Sequence, residues 1–224
     1  MKVIHREHVE PERGYLSPLE QAWQCLKLLP KQVLRDFKAI SRNDPAAKNP
    51  VETLFVHTPL HAIVAYRFTH ILHLLKIPII PRFIGVLLRF WSGVEIHPGA
   101  EIGCCFFIDH GTGVVIGETT KIGHNCVVFH NVTFGGTGHH SGKRHPTVGD
   151  NVLIGTGATL LGPITVGDNV KIGAETVIIN RDVPENCTVV GAPGKIVKRN
   201  GKDVSENLPE SDYHTNRKVK TSAA

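Results

Sequence analysis

The sequence is poor in aromatic residues and lacks the motifs of redox and membrane proteins. Aromatic residues make up 6% of its 224 positions and no nucleic-acid recognition motif is present, so nucleic acid is not expected as a partner. The five cysteines form no CxxC pair and have no secretory spacing, and an odd count predicts reduced thiols in a cytoplasmic protein. The most apolar segment, residues 77–94, contains two prolines and two arginines, so no membrane span is predicted.

What the sequence has instead is an aliphatic residue at every sixth position between residues 96 and 178. This period belongs to neither a helix nor a single strand, whereas hexapeptide repeats form short parallel strands that coil as a β-helix. The pattern predicts a left-handed parallel β-helix of about four coils, with the periodic side chains inside. These residues are Ile96, Ile102, Ile108, Ile116, Ile122, Val128, Val148, Ile154, Leu160, Val166, Ile172 and Ile178.

The rest of the chain is expected to be helical before the repeats and polar after them. Apolar residues spaced three or four apart predict helices over 16–40, 59–75 and 82–91. The expected regions are an N-terminal arm (1–14), an α-helical region (15–93), a β-helix catalytic domain (94–194) with an extruded loop (134–147), and a C-terminal segment with a polar tail (195–224).

Two breaks in the six-residue period predict where the chemistry lies. The step from Ile108 to Ile116 is eight residues, and the extra residues fall in the stretch 109–113. The step from Val128 to Val148 is twenty residues, which leaves a glycine-rich loop with three histidines outside the coil. Insertions in repeat arrays usually map to a binding face, so we expect function at both breaks.

The first break carries a histidine next to a carboxylate. His110 follows Asp109, and an imidazole with a near-neutral pKa and an orienting partner suits a general base. Glu95 precedes His110 by about one coil, and coils stack about 4.8 Å apart, so Glu95 is a candidate to hold the imidazole. A solvated carboxylate at the start of the coil is the alternative for Glu95.

The second break carries a guanidinium beside another imidazole. Arg144 and His145 suit a carboxylate ligand, because arginine offers a planar fork of donors. A mobile charged loop is the alternative. Histidines also allow a zinc site like that of the γ-class carbonic anhydrases, formed by His110, His140 and His145. A zinc site needs rigid ligands, and a long loop does not supply them, so no metal is expected.

Several motifs together resemble serine O-acetyltransferases, over roughly residues 16–201. Acyltransferases that act on sugars share the repeat but not the DHGTG and KRHP motifs. The matching segments are NDPAA (43–47), LHA (60–62), AYR (65–67), EIHPGA (95–100), DHGTGVVIGET (109–119), GGTG (135–138) and GKRHP (142–146).

The resemblance implies acetyl transfer from acetyl-CoA to the hydroxyl of L-serine, which gives O-acetyl-L-serine and CoA in the first step of cysteine biosynthesis. It implies that His110 is the base and Glu95 its orienting acid, although many members have aspartate at this position. Asp44 and Asp109 would contact the serine ammonium, and Arg144 and His145 its carboxylate. The implied catalytic residues are therefore His110, Glu95, Asp109 and His145.

The same resemblance implies how the protein assembles and what else it binds. Acetyl-CoA would lie between neighbouring subunits of a homotrimer, which could pair as a dimer of trimers, and L-cysteine would be a feedback inhibitor. Docking into O-acetylserine sulfhydrylase is not expected, because members that dock end in isoleucine and this sequence ends in Ala224. Another hexapeptide acyltransferase, with a sugar or homoserine acceptor, and a β-helix that only binds remain alternatives. The implied acetyl-CoA contacts are Gly136, Thr137, Thr156, Ala174 and, near the phosphates, Lys195.

Overall fold

A computed structural model describes residues 16–138 and 141–211 of the protein. Within these residues, four helices precede a parallel β-solenoid, so the predicted left-handed β-helix behind an α-helical region is confirmed. None of the described helices is long and apolar enough to cross a membrane. The helices are α1 (Pro18–Asn43), α2 (Pro50–Val56), α3 (Thr58–Leu74) and α4 (Ile80–Ser92).

The ends of the first two helices follow from their capping residues. The Ser17 hydroxyl accepts a hydrogen bond from the Glu20 amide, and the Glu20 carboxylate accepts one from the Ser17 amide, which forms a capping box at the start of α1. The helix ends at Asn43 because Pro45 disfavours helical backbone at the residue before it. Helix α2 was not predicted. It has seven residues, too few for a periodic signal, and Asn49 caps its first turn.

The strands are short and follow one another around the solenoid. They are β1 (Glu95–Ile96), β2 (Glu101–Ile102), β3 (Phe107–Ile108), β4 (Val115–Ile116), β5 (Lys121–Ile122), β6 (Val127–Val128), β7 (Thr133–Gly135), β8 (Thr147–Val148), β9 (Leu153–Ile154), β10 (Thr159–Leu161), β11 (Thr165–Val166), β12 (Lys171–Ile172), β13 (Val177–Ile179), β14 (Cys187–Val190), β15 (Lys195–Arg199) and β16 (Lys202–Asn207).

Parallel pairing arranges these strands into three faces of a prism. Face A is β1-β4-β7-β10-β13, face B is β2-β5-β8-β11, and face C is β3-β6-β9-β12-β14. The antiparallel strands β15 and β16 extend face C beyond β14. Faces A and C each have five parallel strands, and face B has four strands and an isolated bridge between Val166 and Val183. The described solenoid therefore has nearly five coils, close to the predicted number of about four.

The periodic aliphatic residues form the core, as predicted, and one position of the repeat is taken by an aromatic residue. Phe134 lies in β7 with no exposed surface and pairs with Ile116 and Leu160 of the neighbouring strands. It takes the next position of the repeat after Val128, and a search for aliphatic residues does not find it. The extruded loop accordingly lies between Gly135 and Thr147, slightly inside the expected range 134–147.

Helix α3 covers the first coil, which has no coil beneath it. The Tyr66 hydroxyl donates to the carbonyl of Ala100 (2.6 Å), and the Arg67 guanidinium donates to the carbonyls of Ile102 and Gly103. Arg67 also forms an ion pair with Asp36 of α1 (3.1 Å), whose side chain is fully buried. Three backbone carbonyls of the first coil are thus satisfied by α3, and the Arg67–Asp36 ion pair links α1 to the same place.

Candidate active site

The predicted site residues lie mainly along two edges of the prism, and both edges border face A. We call them the C/A edge and the A/B edge after the faces that they join. The C/A edge consists of turns 109–114, 129–132, 155–158 and 173–176. The A/B edge consists of turns 97–100, 117–120 and 162–164 and the extruded loop, of which 136–138 and 141–146 are described.

His110 projects from the first turn of the C/A edge. Its backbone is left-handed (φ 62°), and the adjacent Gly111 (φ 75°) lets the chain turn back, since a Cβ there would lie 2.9 Å from Pro59. The imidazole is 75% exposed, and its Nε2 lies 3.7 Å from Oδ1 of Asp109. The ring also meets the edge of the His130 ring at a centroid distance of 5.9 Å. The first break in the six-residue period thus places an accessible imidazole beside a carboxylate.

Asp44 and Asp109, which are predicted to contact the serine ammonium, both act on the imidazole of a third histidine, His57. Asp44 caps the end of α1, and its Oδ1 accepts a hydrogen bond from the Ala46 amide (2.7 Å). His57 caps the start of α3, and its Nδ1 accepts from the Leu60 amide (3.2 Å). Burial lowers the pKa of His57, whereas the carboxylates of Asp44 and Asp109 act to raise it. Both carboxylates are therefore within electrostatic reach of one imidazole.

Glu95 lies on face A and contacts an arginine. Its carboxylate Oε2 is 2.7 Å from Nη1 of Arg89, and its strand neighbour in the next coil is Val115. The two inserted residues lengthen the first coil to twenty residues, so the stacking partner of Glu95 lies five residues beyond His110. The role of Glu95 in orienting the imidazole stays a prediction.

Thr119 holds the base of the extruded loop on the A/B edge. Its hydroxyl accepts hydrogen bonds from the amides of Arg144 and His145, both at 3.1 Å. The ammonium of Lys143 donates to the carbonyls of Thr119 (2.7 Å) and Pro146 (3.1 Å). These hydrogen bonds join the segment 143–146 to the coil, which favours an ordered segment over the alternative of a mobile charged loop.

His145 is held as a neutral hydrogen-bond donor. It is 9% exposed, and burial lowers the pKa of its imidazole, with Arg144 acting in the same direction. Its Nδ1 accepts from the Thr119 amide (3.2 Å), so the proton of the neutral ring resides on Nε2. A Cβ on Gly117 would lie 2.1 Å from the ring, so only glycine leaves room for it.

Arg144 forms an ion pair with Glu118 of the preceding turn. The hydrogen bond from Arg144 lowers the pKa of the Glu118 carboxyl, which keeps it ionised. His97 lies nearby, and burial lowers its pKa to about 4, so it adds no positive charge at neutral pH. The guanidinium has five donors, and the ion pair leaves others for a ligand carboxylate.

The residues expected to contact acetyl-CoA divide between the two edges. On the A/B edge, Gly136 packs against the Arg144 carbonyl, and the Thr137 hydroxyl donates to Oδ1 of Asn180 (3.0 Å). On the C/A edge, Thr156 and Ala174 occupy equivalent turns of successive coils. Lys195 begins β15 and pairs with Val190.

Sequence reasoning did not single out several polar residues at these edges or beside them, namely His57, His97, Glu118, Thr119 and His130. A signal existed for His130, because it follows Val128 by two residues as His110 follows Ile108. Its Nδ1 is buried without a hydrogen-bond partner in the described chain. As to metals, residues 16–138 and 141–211 contain no group of three histidine, cysteine, aspartate or glutamate side chains that could hold an ion. His140, which the zinc alternative requires, lies outside the described residues.

Fold and site together define a hexapeptide-repeat transferase. The family described as bacterial transferase hexapeptide (six repeats) matches residues 145–180. The serine acetyltransferase of Bacillus licheniformis is 51% identical over 182 residues, which cover 81% of this chain and 84% of that protein. That of Synechococcus elongatus is 48% identical over 186 residues, which cover 81% and 76% of the two proteins.

Solved structures give the same relationship. The crystal structure of Neisseria gonorrhoeae serine acetyltransferase is 40% identical, with a TM-score of 0.76 over 83% of this chain and 70% of that one. A serine acetyltransferase in complex with cysteine is 37% identical, with a TM-score of 0.75 over 81% and 70% of the two chains. The chain belongs to the serine acetyltransferase family and is an enzyme.

Proposed function

We propose that the protein transfers the acetyl group of acetyl-CoA to the hydroxyl of L-serine, which produces O-acetyl-L-serine and CoA for cysteine biosynthesis. The observation that carries this proposal is that two sets of side chains border face A, one with negative charge and one with hydrogen-bond donors and positive charge. Asp109 supplies a carboxylate on the C/A edge and Asp44 a second one from the end of α1, whereas Arg144 and His145 supply donors on the A/B edge. An amino acid presents the complementary ammonium and carboxylate, and neither an amino sugar nor a simple alcohol presents both.

The division of these groups between two edges supports a site shared by subunits. The C/A and A/B edges of one chain lie on opposite sides of face A. In a homotrimer, the C/A edge of one subunit can meet the A/B edge of the next, and a head-to-tail contact of this kind closes into a ring. Exposed apolar residues of α4, including Phe83, Phe90 and Trp91, offer further surface for subunit contacts and for pairing of two trimers.

In the proposed mechanism His110 removes the proton of the serine hydroxyl while the oxygen attacks the thioester carbonyl. The protonated imidazole then returns the proton to the sulfur of CoA as the tetrahedral intermediate collapses. Asp109 and, if it turns from Arg89, Glu95 would stabilise the imidazolium. Arg144 and the Nε2–H of His145 hold the substrate carboxylate, and no step requires a metal.

The co-substrate and the inhibitor use the same two edges. Acetyl-CoA would run past the small residues Gly136, Thr137, Thr156 and Ala174, with its phosphates near Lys195. L-cysteine has the ammonium and carboxylate of serine and differs only at the β-substituent, so it would occupy the serine site and act as a feedback inhibitor. Relatives have been crystallised with serine and with cysteine.

The acceptor can be tested by measuring thiol release from acetyl-CoA with serine, homoserine and an amino sugar. We expect release with serine, and release only with one of the others would refute the assignment.

The role of His110 as the base can be tested with the variant His110→Asn, because asparagine tolerates the left-handed backbone at this position. General-base catalysis is worth about 100-fold or more, so we expect kcat to fall at least that far with the trimer intact. Near-normal turnover would remove His110 from the mechanism.

Sharing of the site between subunits can be tested by mixing two inactive variants. One variant is His110→Asn, and the other combines Arg144→Ala with His145→Ala. If the two edges come from different chains, random mixed trimers regain about one quarter of the wild-type sites, since each site then needs one subunit of each kind. A mixture no more active than its components would show that a single chain forms the site.

A further inference from the structure

Two adjacent cysteines lie in the first turn between faces B and C, on the edge that does not border face A. Cys104 and Cys105 are half-buried, and their sulfur atoms are 3.5 Å apart. The backbone of Cys105 is left-handed (φ 61°), an uncommon conformation for a residue with a side chain. Both are free thiols, as are the buried Cys126 and Cys187. The turn thus holds a dithiol on the surface, away from the proposed active site.

The surroundings of this pair favour ionisation of one of the two thiols. The pKa of Cys104 is lowered to about 4, first by a hydrogen bond from the Cys105 thiol and then by His124 and Arg35, against the opposing effect of burial. The Arg35 guanidinium lies 3.8 Å from the Cys104 sulfur, and the Cys104 amide donates to Nδ1 of His124 (2.9 Å). The pKa of Cys105 is raised, chiefly by its hydrogen bond to Cys104. One thiolate beside one thiol is the arrangement of a nucleophile and a resolving group.

We propose that Cys104 and Cys105 form an oxidation site for hydroperoxides, in which Cys104 is the attacking sulfur and Cys105 resolves the product to a vicinal disulfide. In the first step the Cys104 sulfur attacks the peroxide, an S–O bond forms and the O–O bond breaks. Cys104 becomes a sulfenic acid, and the hydroperoxide is reduced by two electrons to water or an alcohol. In the second step Cys105 attacks that sulfur, the S–S bond forms, and the oxygen leaves as water with the Cys105 proton.

Backbone geometry makes the product easy to reduce. Consecutive Cα atoms across a trans peptide lie about 3.8 Å apart, below the usual range for disulfides of about 4.4–6.8 Å. A disulfide between Cys104 and Cys105 is therefore strained, and strained disulfides have the higher potentials of labile, reversible bonds. The reduced pair, with an Arg35 contact to the thiolate, is the favoured state under reducing conditions.

The position of the turn indicates which part of the protein would respond. Arg35 and Asp36 are neighbours on α1, and the Asp36 carboxylate accepts a hydrogen bond from the Phe106 amide (3.1 Å). The turn 103–106 is thus where α1 contacts the first coil. Oxidation removes the negative charge that faces Arg35, so we expect it to weaken the contact between α1 and the first coil.

The test is to expose the full-length wild-type protein to a small excess of hydrogen peroxide and to follow its thiols. We expect two of the five thiols to disappear, the intact mass to fall by two hydrogens, and both changes to reverse with dithiothreitol. Isotope-coded alkylation of the wild type should assign the change to positions 104 and 105. Assignment to other cysteines, or a disulfide between chains, would overturn the proposal.

Variants separate the roles of the two sulfurs. Cys105→Ser should accumulate a sulfenic acid at Cys104 that dimedone traps, and Cys104→Ser should lose this reaction at the same dose. Cys25→Ser is the matched control, because Cys25 is also half-buried but lies on α1 at another site, and it should behave as the wild type. Equal peroxide consumption by Cys104→Ser and the wild type would refute the assignment of the nucleophile, and the mapping in the wild-type protein does not depend on how the variants fold.

Discussion

Replacement of Arg144 by alanine tests the proposed carboxylate site most directly. The Arg144 amide, which donates to the Thr119 hydroxyl, is retained in alanine, so the base of the loop stays anchored and only the guanidinium is lost. Loss of a hydrogen bond to a charged group costs about 1.5–3 kcal/mol. At 1.4 kcal/mol per factor of ten, this predicts that the serine KM rises about 12- to 140-fold.

The carboxylate of Glu118 should add to the rise in the serine KM, and its replacement provides a control. Without Arg144, the Glu118 side chain, which is 40% exposed, would repel the substrate carboxylate. The double variant Arg144→Ala/Glu118→Gln removes this repulsion, so its serine KM should be lower than that of Arg144→Ala alone. Arg144→Lys keeps the charge without the planar fork and should lie between the alanine variant and the wild type.

Steady-state kinetics with each substrate varied in turn gives the required comparison. The serine KM and the cysteine inhibition constant should rise together, whereas the acetyl-CoA KM should change little. The reasoning is refuted if the serine and cysteine constants stay within about twofold of the wild type, or if the acetyl-CoA KM rises as much as the serine KM.

Three further predictions concern the coil and the chemistry. Gly117→Ala should weaken serine binding while the fold is kept, because its Cβ would displace the His145 ring; Gly85→Ala, where the nearest atom is 3.8 Å away, should bind serine normally. Arg67→Met should lower the free energy of unfolding by about 3–5 kcal/mol in urea titrations at fixed protein concentration, because it leaves the buried Asp36 without its ionic partner; an unchanged midpoint would contradict this. Prolonged chelation should leave activity intact, and loss of activity that zinc restores would favour the metal alternative.

The fold could be predicted from the sequence because each coil puts the same kind of residue into the same environment. A six-residue period can be recognised without knowledge of tertiary contacts, so the aliphatic series alone predicted the solenoid and its extent. Phe134 was not predicted as a core residue because the series was defined by aliphatic residues, although it lies at the expected position of the repeat. Helix α2 was not predicted because its stability comes from a cap and from packing rather than from an amphipathic period.

The residue pattern by itself indicated candidate site residues only where they disturb the period. His110 and the segment 143–146 interrupt the repeat, whereas Asp44 and the acetyl-CoA contacts were expected from the family resemblance, and all these roles stay predictions. Thr119 follows the repeat without interruption, and its role exists only because a loop 25 residues later folds back onto its hydroxyl. The strand neighbour of Glu95 is Val115, because the inserted residues that expose His110 also lengthen the first coil; the orienting role of Glu95 stays a prediction. The sequence pattern therefore indicated candidate site residues, whereas the three-dimensional structure was needed to show which residues contact them.

The proposed arrangement also constrains how catalysis and inhibition by cysteine could be separated. In the proposed site, serine and cysteine would present the same ammonium to Asp44 and Asp109 and the same carboxylate to Arg144 and His145, so changes in these residues should alter both affinities by a similar factor. The two ligands differ only at the β-substituent, which faces His110 in the proposed mechanism. Selectivity must then arise from the groups around that imidazole, and the described structure offers His130, whose ring meets His110 edge-on and whose Nδ1 is buried without a partner among the described residues. A substitution that shifts the ratio of the serine KM to the cysteine inhibition constant is therefore expected at position 130 rather than among the carboxylate and ammonium partners.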